Sequence, residues 1–117
     1  MDQPTRCVLK IAAKSKDFDK LLIMSIDEAL LSLGESARQS IYFHIEKQFN
    51  MSRDEIPRDL EHFQIALEKI FGIGSRYIEI LIMKNLYSKI GRSLHIEDNK
   101  YLEFIKYVEA ARQNFCA

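Results

Sequence analysis

Apolar positions recur along most of this chain at steps of three and four residues, the spacing that lines side chains along one face of an α-helix. The first stripe is Leu22, Ile26, Ala29, Leu30 and Leu33. It predicts a helix over residues 18–33, with Asp17 as its N-cap and Gly34 as its stop. Ala37, Ile41, Ile45 and Phe49 follow at strict steps of four, flanked by Tyr42 and Gln48, and predict a helix over 36–49 that ends at Asn50. Residues 51–59 read as a connection. Within it Ser52-Arg53-Asp54-Glu55 has the capping-box pattern of a short helical turn, which Ile56-Pro57 is expected to break. Leu60, Phe63, Leu67 and Ile70, helped by Ala66 and Phe71, predict a helix over 60–71 between Asp59 as N-cap and Gly72.

The next segment, 75–90, is apolar over more than half its circumference: Tyr77, Ile78, the run Ile80-Leu81-Ile82-Met83, Leu86, Tyr87 and Ile90. Such a helix belongs near the centre of a fold, and Gly91 ends it. Leu102, Ile105, Val108 and Ala111 predict a last helix over 99–115 behind Asp98, with Tyr101, Phe104 and Tyr107 widening its stripe. Residues 1–16 form an N-terminal arm in which Cys7–Ala13 fits either a short helix or a strand; residues 17–117 read as a single helical domain. Short connections make neighbouring helices pack antiparallel, so the expected fold class is all-α, a compact bundle of four to five helices around residues 75–90.

Composition agrees. The 117 residues fit one domain, and a 47% hydrophobic, 29% charged chain is globular in character. Fifteen isoleucines favour strands in isolation, but two prolines and four glycines leave little material for the turns of an all-β fold. No apolar run approaches the roughly 20 residues that span a bilayer, so no membrane partner is expected, and the interrupted early run 8–13 does not make a secretory signal. Cys7 and Cys116 form no metal-ligand spacing and read as reduced thiols of a cytoplasmic protein. The zero formal net charge argues against a polyanion binder overall, yet leaves room for a local basic patch.

That patch exists in the sequence. Between residues 69 and 92 stand Lys69, Arg76, Lys84, Lys89 and Arg92 against only Glu79. The same stretch holds Leu67-Glu68-Lys69-Ile70-Phe71-Gly72-Ile73-Gly74-Ser75-Arg76-Tyr77-Ile78, a Gly-Ile-Gly turn between two helices. It resembles the helix-hairpin-helix motif of DNA-binding proteins over about 15 to 20 residues. The resemblance implies phosphate binding by the turn's amides at the second helix's N-terminus, where free N–H groups and the helix dipole favour an anion. Gly72, Gly74, Ser75 and Arg76 would be its contacts, with Lys84 and Lys89 beyond. Two departures count against it: Ile78 stands where the motif usually has a small residue, and the second helix is longer and more apolar than the motif's. The plainer reading is that Gly72 ends one helix, Gly74 permits a tight turn and Ser75 caps the next.

A broader resemblance runs from about residue 23 to residue 90. Ser25-Ile26-Asp27-Glu28-Ala29-Leu30, Leu33-Gly34-Glu35-Ser36, Ile41-Tyr42-Phe43-His44-Ile45-Glu46, Asp54-Glu55-Ile56-Pro57, Ala66-Leu67-Glu68-Lys69-Ile70-Phe71-Gly72, Ile78-Glu79 and Leu86-Tyr87-Ser88-Lys89 occur in this order. Together they resemble a family of small archaeal helical domains known as Nitrososphaera output domains. That resemblance implies a signalling end-point or partner-binding role, and it carries over no catalytic or binding residue.

Other chemistry is sparse. His44, His62 and His95 lie in separate segments without a zinc-site spacing, so no metal and no cofactor is expected. Asp27-Glu28 and Asp54-Glu55 are adjacent pairs whose members point apart on a helix, and no nucleophile elbow, Walker loop or dinucleotide fingerprint is present. The chain is therefore expected not to be an enzyme. Tyr42 and Phe43 beside Ile41, with Tyr101, Phe104 and Tyr107, suggest an aromatic surface for a protein partner or a homodimer. The leading expectation is a non-catalytic interaction or signalling-output module. Nucleic-acid binding through the Gly-Ile-Gly turn is the alternative, and a small-ligand sensor with an interhelical cavity is a further one.

Overall fold

The computed structural model describes residues 4–95 and 103–116, with side chains over 14–95 and 103–115. The described residues form five helices: α1 Pro4–Leu31, α2 Glu35–Phe49, α3 Leu60–Phe71, α4 Ser75–Ile90 and α5 Phe104–Cys116. Two 3-10 turns, Arg53–Arg58 and Gly72–Gly74, precede α3 and α4, and no strand occurs among the described residues.

Of the expected stripe on α1, Leu22, Ile26, Ala29 and Leu30 are closed to solvent, as are Phe18 and Ser25, but Leu33 lies beyond the helix end at Leu31 and is 42% exposed. The Ser25 hydroxyl donates to the Leu21 carbonyl one turn back at 2.8 Å, so its burial leaves no unpaired donor. The helix begins well before the expected start. Asp17 is a mid-helix residue, not an N-cap, and the expected division between an arm and a domain falls inside α1. Pro4 suits a first helical turn, and nothing between it and Gly34 breaks a helix; an interior aspartate costs only about 0.7 kcal/mol. Gly34, at φ 113°, makes the turn into α2. Asn50 ends α2 in the left-handed conformation, φ 52° and ψ 43°, as expected of a second-choice terminator.

Glu55 accepts from both the backbone N–H and the hydroxyl of Ser52 at 2.9 Å, which opens the first 3-10 turn. Pro57 does not break it. The turn runs to Arg58 with Ile56 and Pro57 buried, because the fixed φ of proline suits 3-10 geometry. Asp59 caps α3 by accepting from the His62 N–H at 3.3 Å. At the far end of α4 the Gly91 N–H donates to Ser88 and the Arg92 N–H to Tyr87, the paired bonds of a glycine-terminated helix.

Helix α4 packs against α1, α3 and α5. Asn85 donates to the Ser25 carbonyl at 3.2 Å, and Lys89 reaches Glu28 one turn further along both helices, so α1 and α4 run parallel. Helix α5 runs back against them: the Tyr87 hydroxyl donates to the Tyr107 carbonyl at one end, and Arg112 meets Asp19 at the other. Its core stripe is Phe104, Val108 and Ala111, with Ile105 half-buried. The expected start at residue 99, the cap at Asp98, Leu102 and Tyr101 lie outside the described residues. Among those described, Glu103 is not helical, and its carbonyl accepts the Tyr107 N–H at 3.1 Å.

Candidate interaction surface on the α3–α4 hairpin

Gly72 leaves α3 at φ 60° and ψ −132°, a backbone conformation for which glycine is needed. Its N–H donates to the Glu68 carbonyl. Gly74 is different. At φ −63° and ψ −14° it is ordinary right-handed backbone, and a Cβ there would meet only the Phe71 Cβ at 3.8 Å. The expectation that Gly74 supplies the special turn geometry is corrected: Gly72 alone does so. Ser75 is not the cap of α4 either. It is the first helical residue, buried, and its N–H donates to the Gly72 and Ile73 carbonyls. Two amides of the turn are thus spent inside the protein, which weakens the case for a phosphate cradle.

The structure separates the proposed phosphate contacts. Gly72 and Gly74 lie in the hairpin turn, and Ser75 and Arg76 open α4. Lys84 is exposed nine residues into α4, about 14 Å along the axis. Lys89 lies at the opposite end and is bound to both carboxylate oxygens of Glu28 at 2.7 and 2.8 Å, so it ties α4 to α1 and does not belong to the turn.

What the turn does display is apolar. Ile73 is 90% exposed and Tyr77, four residues on, is 60% exposed. Leu81, four further, is half-buried, and Lys84 follows. These residues lie on the face of α4 opposite Ile78, Ile82, Met83 and Leu86, which fill the core. Across residues 69–92 the exposed charges are Lys69, Arg76, Lys84 and Arg92, all basic. The one acid, Glu79, is 2% exposed. Burial pushes its carboxyl up to about 7; a hydrogen bond from Gln64 opposes the rise, the like charge of Glu68 adds to it, and Arg76 opposes it.

Among the described residues the expected aromatic surface does not assemble, and Tyr101 lies outside them. Phe104 is corrected from surface to core: it is fully buried, 6.4 Å from the Phe63 ring, because 104, 108 and 111 form the buried stripe of α5. Tyr107 is half-buried and offers its carbonyl to Tyr87. Tyr42 is half-buried, its hydroxyl 2.5 Å from an Asp27 oxygen, and burial and that carboxylate push its pKa upward. Phe43 faces outward, 58% exposed, with the Lys47 ammonium 5.7 Å from its ring centre.

Asp27 was legible only as half of a solvated acidic pair. It is instead the joint between α1, α2 and the first 3-10 turn, accepting from Tyr42 and Arg53 with Arg38 at 3.9 Å. Burial alone would raise its pKa, but the bonds from Arg53 and Tyr42 and the nearby positive charge hold it below the usual carboxylate range.

Two open clefts lie nearby. One, of about 160 Å³, is lined by Asn50, Met51, Glu55, Arg58, Asp59 and His62; the other, of about 230 Å³, lies between Pro57–Glu61 and Ile105 and Glu109. His62 Nδ1 stands 3.5 Å from Asp59, and neither lining includes a serine, threonine or cysteine. Among the described residues no cluster of three or more His, Cys, Asp or Glu could hold a metal ion, no buried side-chain polar atom lacks a partner, and no helix is long and apolar enough to cross a membrane.

No family model matches this chain, and no curated protein and no solved structure matches it. The two resemblances drawn above rest on the sequence stretches quoted for them.

Proposed function

We propose that this chain is a non-catalytic helical interaction module that engages a protein partner through the outer face of α4 and the turn before it. One observation carries the reading. Helix α4 is apolar over more than half its circumference, yet Tyr77 on it and Ile73 in the turn before it are left in water. The resemblance to output domains supports a signalling end-point, and the reading goes with a cytoplasmic location. The test uses the chain as bait in quantitative pull-downs, beside an Ile73→Asp/Tyr77→Asp variant whose fold is checked by circular dichroism. Proteins captured by the wild type and lost on the variant are the expected result. An identical set on both baits rejects this surface.

Nucleic-acid binding is the second reading, favoured by the wholly basic exposed charge over residues 69–92. It predicts that a fluorescent DNA duplex binds at low salt and that affinity falls steeply with added salt. Arg76→Ala would then weaken binding to every sequence alike and lower the salt slope by about one. Absence of binding at low salt disposes of this reading.

A further inference from the structure

We infer that the partner of the α4 face is an acidic amphipathic helix of another protein. The inference rests on the interaction-module reading and adds the chemistry of the partner. Ile73, Tyr77, Leu81 and Lys84 follow one another at steps of four, four and three, so they line one side of the turn and helix over about 16 Å. A partner helix of roughly 12 residues matches that length. Apolar side chains at helical spacing would cover Ile73 and Tyr77, which is how an amphipathic helix lies against a complementary seam. The charge beside the seam sets the sign of the partner. Lys84 and Arg76 are exposed on α4 and the only acid of α4 is buried, while on α3 the exposed Glu68 and Lys69 offset each other. Glutamate or aspartate flanking the partner's apolar stripe would face these cations.

Two other occupants fit less well. A second copy of this chain would set Lys84 and Arg76 against their own like charges, which disfavours face-to-face pairing. A nucleic acid would leave the apolar seam facing a sugar–phosphate backbone, and the amides of Gly72 and Ser75 are already bonded to carbonyls within the hairpin.

The experiment titrates the full chain against fluorescein-labelled synthetic peptides of roughly 12 residues and reads anisotropy. One peptide has leucines at helical spacing with glutamate flanks, the second has lysine flanks, and the third is the acidic composition scrambled. The acidic amphipathic peptide is expected to bind most tightly, about tenfold above the scrambled one. Ile73→Asp and Lys84→Glu should each weaken it about tenfold, and Lys84→Glu should shift preference toward the lysine-flanked peptide. Tyr77→Ser serves as a milder variant, and circular dichroism checks that each protein is folded. Equal or tighter binding of the lysine-flanked peptide overturns the acidic partner and leaves the module reading standing. So does binding indifferent to Ile73→Asp and Lys84→Glu. A dimer that Ile73→Asp splits, or a DNA complex lost on Lys84→Glu but not on Ile73→Asp, overturns it in favour of a second copy or of nucleic acid. No binding by any peptide overturns the acidic partner; only an unchanged pull-down on the double variant removes the surface itself.

Discussion

Burial holds the Glu79 carboxyl near neutrality, and that makes stability depend on pH with a definite sign. The folded state keeps the proton up to about 7, whereas the ordinary value is 4.5. The stabilisation from the bound proton is full below the ordinary value and is lost as pH rises through about 7. At pH 8 the loss is of the order of 3 kcal/mol, taking about 1.4 kcal/mol per pKa unit. Glu79→Gln should therefore be more stable than the wild type at pH 8, with a flatter profile of urea midpoint between pH 5 and 8. A wild-type profile as flat as that of the variant would mean the carboxylate is solvated. Asp27 acts in the opposite sense. Its pKa is depressed, so its contribution is present above the ordinary carboxylate range and lost as pH falls through the lowered value. Asp27→Asn should cost about 1–3 kcal/mol at pH 7, since Arg53 and Tyr42 lose a charged acceptor, and should remove part of the acid-induced loss of stability. Denaturant melts at pH 3 and pH 7 measure both.

The two glycines of the hairpin differ at the scale of elements. Gly72→Ala forces a side chain into φ 60°, ψ −132° and should cost about 1–3 kcal/mol. Gly74→Ala sits in right-handed backbone, its Cβ in ordinary contact with the Phe71 Cβ, and should be neutral or stabilising by up to about 1 kcal/mol. Thermal melts of the pair decide which glycine shapes the turn, and equal losses would place the strain elsewhere. Elements of this kind were largely readable beforehand. The helices over 36–49, 60–71 and 75–90 followed from spacing, and Asp59, Asn50 and Gly91 did the capping and stopping assigned to them. The start of α1 was not readable, because Asp17 resembles a cap and only neighbours decide whether a helix continues through it. The ties between elements were not readable either. Asp27–Arg53, Lys89–Glu28 and Arg112–Asp19 join residues 26, 61 and 93 positions apart, and any charge on a helix face looks alike until its partner is placed. The apolar breadth of α4 was visible in the sequence; which side remained open was not, since that depends on where α1, α3 and α5 pack.

Over the whole molecule, one residue supplies the polar tie between the first and last helices, beside the Phe18–Phe115 ring contact at 5.9 Å. Arg112 on α5 bonds Asp19 of α1 at 2.8 Å and the Pro57 carbonyl at 3.2 Å, with its guanidinium 4.7 Å from the Phe18 ring centre. Replacing it with methionine keeps much of the packing but removes the bonds and the charge over the ring. Arg112→Met should cost about 1–3 kcal/mol. Hydrogen exchange should quicken in α5 and in the turn Arg53–Arg58 while α3 stays protected; uniform acceleration would show that α5 is not a separate unit of opening. The extents of 53 × 34 × 22 Å show an elongated body, in keeping with a 28-residue α1 about 42 Å long. The parallel pairing of α1 with α4 also bears on synthesis. A helical hairpin can close as soon as its second arm emerges from the ribosome, but the apolar face of α1 waits for α4 and then α5, made some 60 to 90 residues later. During that interval Phe18, Leu22 and Ile26 have no lasting cover from α4 and α5, so the nascent chain is expected to expose an apolar helix face, and slowing translation after residue 90 would lengthen that exposure.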